Sequence, residues 1–165
     1  MVRFSVFATV IVALHAFAPP AAAQDPSAAT IPNAALPVSA RAAADVVDAF
    51  HVALGRGDTE AALALLADDA LIFEQGGAER SKAEYAVHHL SADAAFAQAV
   101  PSLRTRRAGH ASESLAWIAT EGRTTGTFNG RPVDRVTTET MVLRHADGDW
   151  RIIHIHWSSA APPRP

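Results

Sequence analysis

The chain has 165 residues, 49% hydrophobic and 19% charged, with 14 Lys and Arg against 17 Asp and Glu and no cysteine. That is enough for one hydrophobic core and too little for two comfortable domains. A net charge of −3 without any basic stripe argues against nucleic acid or an anionic membrane as partner, and without cysteine neither a disulfide framework nor a lipid-attachment thiol is available.

Residues 1–23 read as an export signal. Arg3 precedes an apolar run over residues 4–18, and Ala21-Ala22-Ala23 supplies the small residues that signal peptidase needs, leaving Gln24 as the new N-terminus. The run is shorter than the roughly 20 apolar residues that span a bilayer and it ends at Pro19-Pro20, so the mature chain is expected to be periplasmic or secreted, without a membrane anchor. Residues 24–38 are rich in Ala and Pro with almost no large side chain to repay ordering entropy, and are expected to form a flexible tether.

Ser39 then caps a helix in which Ala43, Val46, Val47, Phe50 and Leu54 form one apolar stripe. Gly57 ends it and Asp58 caps a second, short helix, so the two make a hairpin. Residues 70–74 read as a strand running into the loop Gln75-Gly76-Gly77. Ser81 and Glu84 have capping-box spacing and open a third helix carrying Tyr85, His88 and His89, continuing to about Phe96 and stopped by Pro101.

Strands follow over residues 103–112, 115–128 and 135–145, with tight-turn signals at Asn129-Gly130 and Asp147-Gly148. The last strand, rich in β-branched and aromatic residues, reaches Ser158. Strict alternation would put Trp150, Ile152, His154, His156 and Ser158 on one face and Arg151, Ile153, Ile155 and Trp157 on the other. Helices followed by an antiparallel meander give an α+β class, helices packed on one face of a curved sheet, over residues 39–159, with 160–165 a disordered tail.

This order of elements, ending in Trp150-x-x-x-His154-x-His156-x-Ser158, resembles the nuclear transport factor 2-like (NTF2-like) superfamily. It is similar in particular to the SnoaL-like group and to the association domain of calcium/calmodulin-dependent kinase II, over residues 40–159. The resemblance implies a cystatin-like cone with a pocket between sheet and helices, and a homodimer formed through the outer sheet face. Phe73-Glu74 falls on the pocket Phe-Glu pair of the kinase domain, and His88 on a pocket histidine. The pocket arginines of that domain fall on Glu121, Met141 and Trp157, so its carboxylate preference is not expected here and a less acidic, more apolar ligand is. The implied lining comprises Phe73, Glu74, Tyr85, His88, Glu121, Met141, Ile155 and Trp157.

Which face of the last strand lines this pocket depends on the turn before it. A three-residue loop Ala146-Asp147-Gly148 pairs Met141 with Ile153 and Glu139 with Ile155, and sends Ile155 and Trp157 inward. A two-residue turn instead sets Met141 beside His154 and brings both histidines to the pocket.

Glu74, ending an apolar strand, is a candidate general base or ligand anchor, against the plainer role of a loop-capping carboxylate. His88 is a candidate proton donor, against an exposed helical histidine. Tyr85 offers an apolar ring with a polar tip, and otherwise fills core space. Glu121 is either a second pocket carboxylate or a cross-strand ion-pair partner. His154 and His156 have a spacing that can grip a metal, but no third ligand stands out and no metal is expected. Without a nucleophile, P-loop or dinucleotide motif, no cofactor is expected either.

The function expected is small-molecule binding. One alternative is a cofactor-free isomerase, cyclase or dehydratase with Glu74 as base and His88 as acid. The other is a non-catalytic homo-oligomeric assembly domain, in which Trp150, His154 and His156 on the outer face would matter most.

Overall fold

The computed structural model describes residues 33–163, so the signal-peptide reading of residues 1–23 and most of the tether lie outside the described residues. Among the described residues no helix is long and apolar enough to cross a membrane. Helix α1 spans Val38–Arg56 and buries Ala43, Val47, Phe50 and Leu54 along its stripe. Gly57 ends it in the left-handed region at φ +72°, a conformation that costs a residue without Cβ little. Asp58 then caps α2, Thr59–Ala64, by accepting the Ala61 N–H at 2.9 Å.

The expected tether is docked from Asn33 onward. Asn33–Ala35 forms a 3₁₀ turn, and Asn33 Nδ2 donates to Asp45 and Asp48, each at 2.8 Å. Leu36 is only 4% exposed. It rests over Gly109, where an added Cβ would stand 2.7 Å from Ile118 Cδ1 and 3.6 Å from Leu36 Cδ2. A polar anchor and a glycine gap in the sheet order this stretch, and neither shows as a run of large side chains. The helix accordingly begins at Val38 after Pro37, without a side-chain cap from Ser39.

The remaining elements are β1 Leu66–Glu74, β2 Gly77–Glu79, α3 Lys82–His88, α4 Leu90–Ala99, β3 Ser102–Ala111, β4 Leu115–Phe128, β5 Arg131–Ala146 and β6 Asp149–Ala160. They form one sheet in the order β2-β1-β6-β5-β4-β3, so the α+β class expected from the sequence is the one adopted. The sheet is mixed, because β1 runs parallel to β6 while the other pairs are antiparallel. The meander ends at β6, and β1, with Leu66, Ala70 and Ile72 buried, covers that open edge. α1 packs across β3, β4 and β6, enclosing Phe50, Tyr85, Ile118, Met141, Ile152 and Ile155.

Neither register considered for the last hairpin is the one formed. Asp147 and Gly148 have φ of +55° and +86°, and Ala146 pairs with Asp149, so the turn has two residues. Pairing then slips by one between Leu143↔Ile152 and Val142↔His154, leaving Ile153 as a β-bulge. Beyond it Met141 faces Ile155 and Glu139 faces Trp157. The extra residue sits within the strand and not in the turn. Ile152, Ile155 and Trp157 therefore all pack on the helix side, while His154 and His156 lie on the outer face with Phe73. Trp150, expected outside with the histidines, is on the inner side of the bulge and packs on the core beside His145.

Candidate functional site

A cavity of about 260 Å³ opens where the β1–β2 hairpin, the end of β6 and the α3–α4 pair meet. Each wall follows from local geometry. Glu74 lies two residues beyond the buried Ile72 and so shares its inner face, and it pairs with Trp157 of β6. The Gln75-Gly76 turn, with both φ positive, folds β2 back so that Glu79 stands opposite Ile72. Tyr85, His89 and Asp93 recur every four residues, a helical spacing that survives the break between α3 and α4 at His89.

Inside, the Tyr85 hydroxyl donates to Asp93 Oδ2 at 2.9 Å. His89 Nδ1 forms an ion pair with Glu79, whose side chain is only 8% exposed. Burial pushes the Asp93 carboxyl up to about 6; the Tyr85 hydrogen bond opposes the rise and the Glu74 charge adds to it. Burial, with Asp93 adding to it, likewise holds the Tyr85 hydroxyl far above its ordinary value, so it keeps its proton. A carboxylate that titrates close to neutrality, oriented by a phenol that stays protonated, is suited to accepting a proton from a bound molecule.

Behind Trp157 lies a second polar group. Trp157 Nε1 donates to Glu139 Oε2 at 2.8 Å, and His51 Nε2 meets the same oxygen at 2.8 Å. Burial would raise the Glu139 pKa, but His51 and then the Trp157 N–H outweigh it and hold the carboxyl below its usual range. The same partnership lifts His51 against its own burial. Two-fifths of the His51 side chain (43%) still reaches solvent, while its Nε2 edge is turned to Glu139. Alongside, Arg107, 1% exposed, donates to Asp48 and Asn33 at 2.8 Å, and Asp48 also pairs with Arg104. Arg107 Nη2 and Glu139 Oε1 are buried without a hydrogen-bond partner among the described residues.

Of the residues proposed from sequence, Glu74, Tyr85 and Trp157 are brought together at the cavity. Met141 and Ile155 are fully buried in the core instead of forming cavity wall. Phe73 is on the outer face, 38% exposed against His154 and His156, because neighbours in a strand point to opposite faces and Glu74 points in. Glu121 is outside too, 3.4 Å from Arg106, as the cross-strand reading had it. His88, the last residue of α3, is exposed; the next residue, His89, lies at the helix break and lines the cavity. Among the described residues no group of three or more His, Asp or Glu is arranged to hold a metal ion.

Glu79 and Asp93 escaped the sequence reading, as did the Glu139 and Arg107 groups, and His89 enters it only beside His88. A signal for the first set was present: Asp93 is the one acid in the Ala-rich segment Leu90–Ala99, two helical steps of four after the only tyrosine.

A profile for the SnoaL-like domain matches residues 43–162, most of the chain. The chain belongs to the SnoaL-like family. A crystal structure from Shewanella frigidimarina, named as a candidate ketosteroid isomerase, is similar to this SnoaL-like chain at 35% identity and a TM-score of 0.70, over 75% of this chain and all of the other. A candidate calcium/calmodulin-dependent kinase II association domain from Xanthomonas campestris is 24% identical with a TM-score of 0.64, over 79% and 94%. An NTF2-like protein with a cystatin-like fold from Novosphingobium aromaticivorans is 14% identical at a TM-score of 0.60, over 72% and 80%. The last two speak for the fold alone, and they place this SnoaL-like chain among NTF2-like, cystatin-like structures. A comparison with curated proteins gives no match.

Proposed function

We propose that the cavity is a small-molecule active site and that the chain catalyses a cofactor-free proton transfer, an isomerisation or a dehydration. The observation that carries this reading is the Tyr85–Asp93 hydrogen bond inside the cavity, which orients a carboxylate of raised proton affinity toward any occupant. Asp93 removes a proton from a carbon next to a carbonyl. His89, held by Glu79, delivers one to the far carbon of an adjacent β,γ double bond as that bond shifts into conjugation, or to a hydroxyl departing as water from the β-carbon. Glu74, the base proposed from sequence, shares the cavity and acts here as an anchor, while His88 yields the acid role to its neighbour. The Shewanella structure named as a candidate ketosteroid isomerase supports the reaction class. Export through residues 1–23 belongs to the same proposal.

Solvent exchange tests this without a known substrate. Small ketones incubated with the protein in D₂O should gain deuterium at the α-carbon faster than in buffer, as read by NMR. A set of ketones and β-hydroxy ketones that all exchange at the buffer rate would sink the proposal.

Pairing through the outer sheet face is proposed alongside. Trp117 is 43% exposed and stands opposite Val142, which is paired with His154, and Phe73 continues the patch past His154 and His156. Such an aromatic strip across four strands fits a covered face. Trp117 takes the place expected of Trp150. The Trp117→Lys chain is expected to run as a monomer in native mass spectrometry where the parent runs as a dimer; an unchanged dimer would move the interface elsewhere.

A further inference from the structure

The charge of the cavity says what kind of molecule it takes, an inference that rests on reading it as a substrate site. The cavity, and not its charge, defines the site. At about 260 Å³ it lies just below the roughly 300–1,000 Å³ of most small-molecule pockets, so its occupant is small. Three carboxylates line it, Glu74, Glu79 and Asp93. The one basic group among the lining residues is His89, and it is already engaged by Glu79. Carboxylates of one sign around a partly enclosed space focus a negative potential into it, which attracts cations and repels anions.

The apolar part of the wall points the same way. Trp157 and Tyr85 both line the cavity, with ring centroids 6.4 Å apart; Tyr85 is fully buried, and Trp157 is the partly exposed ring. Aromatic rings beside carboxylates are the combination that holds an alkylated ammonium group, by attraction of the cation to the ring and by burial of its carbon. Burial is the main cause that raises the Asp93 carboxyl, and repulsion from Glu74 and Glu79 adds to it. An incoming cation would relieve that repulsion and leave Asp93 ionised.

We infer that the cavity binds a small organic cation, an amine or quaternary ammonium compound, with its positive group among Glu74, Glu79 and Asp93 and its carbon skeleton against Trp157. This is the opposite charge preference from a pocket built on arginines, and it replaces the largely apolar ligand expected from the sequence.

Three probes of nearly equal shape test it: benzylammonium, benzyl alcohol and benzoate, titrated calorimetrically into the full chain at pH 7. Benzylammonium is expected to bind about tenfold or more tighter than benzyl alcohol, with benzoate weakest. In the isosteric Glu74→Gln variant the preference for the cation should fall to about threefold or less. Asp93→Asn should narrow it similarly, and the comparison within the unaltered protein needs no variant to fold. Equal or tighter binding of the alcohol or of benzoate would overturn the charge inference while leaving a small-molecule pocket in place. If none of the three binds, the inference fails and so does the pocket reading beneath it.

Discussion

Glu139→Ala is expected to cost the fold roughly 3 kcal/mol, the low end of the penalty for breaking a buried pair, because His51 is 43% exposed. The loss has several parts. The Trp157 indole N–H loses its acceptor, His51 loses the carboxylate at 2.8 Å, and Arg107 loses a nearby counter-charge. Glu139→Gln, which keeps an acceptor for Trp157 and removes only the charge, should fall between the two. Urea denaturation of the three proteins reads this directly. A Glu139→Ala chain within about 1 kcal/mol of the parent would show that the network contributes little.

The effect has a pH window with a definite sign. The His51 pKa is raised in the folded chain, so its contribution is complete below its ordinary 6.5 and is lost as pH climbs through the folded value. The Glu139 pKa is lowered, so its contribution is complete above its ordinary 4.5 and is lost as pH falls through the folded value. The gap between parent and variant should therefore be widest between these two, near pH 5 to 6.5, and narrow toward both acid and alkaline pH, the Trp157 and Arg107 parts remaining when His51 is neutral.

Asp93→Asn is expected to abolish most of the α-proton exchange, by about 10²–10⁴-fold, the usual contribution of a positioned base. The amide can still accept the Tyr85 hydroxyl, so the geometry should survive while the basic oxygen is lost. In the parent, exchange should rise with pH through about 6 as Asp93 ionises. Stability should move the other way. A carboxyl whose folded value lies above its ordinary 3.8 binds its proton more tightly in the native state, so its ionisation weakens the fold as pH rises through that interval. The neutral amide avoids this, and the variant should be slightly more stable at pH 7, on the order of 1 kcal/mol once solvent screening of a partly exposed group is allowed for. A variant that lost activity and stability together would mark Asp93 as a structural residue, and one that kept its rate would remove it as the base.

The helix pattern was legible because local chemistry decides it. Gly57, Asp58 and Ser81 each do what their residue type and spacing imply, and β4 begins and ends where its apolar run and turn signal place it. The family resemblance implies Glu74 and Trp157 in one lining, but it implies Phe73, His88 and Glu121 there as well, and these lie outside the cavity. What stayed hidden depended on pairing between distant segments. Glu79 looks like a loop residue until Gly76 folds it against Ile72, and Arg107 looks like a surface charge in a polar strand until Asp48 and Asn33 arrive from the other end of the chain. His88 enters through the family resemblance, whereas helical spacing from Tyr85 favours His89, the residue that lines the cavity.

The bulge at Ile153 works as a phase slip in the last strand. Before it, the outward set is fixed by the Asp147-Gly148 hairpin; after it, by the demand that Ile155 and Trp157 meet the helices. The two ends of β6 are thus free to answer to different constraints. Pairing Ile153 regularly with Val142, with no bulge, would leave the hairpin intact yet reverse everything beyond it, sending Trp157 outward and both histidines into the interior. The cavity wall, its anchor at Glu139 and the aromatic strip on the far side all depend on one uncounted step in the strand.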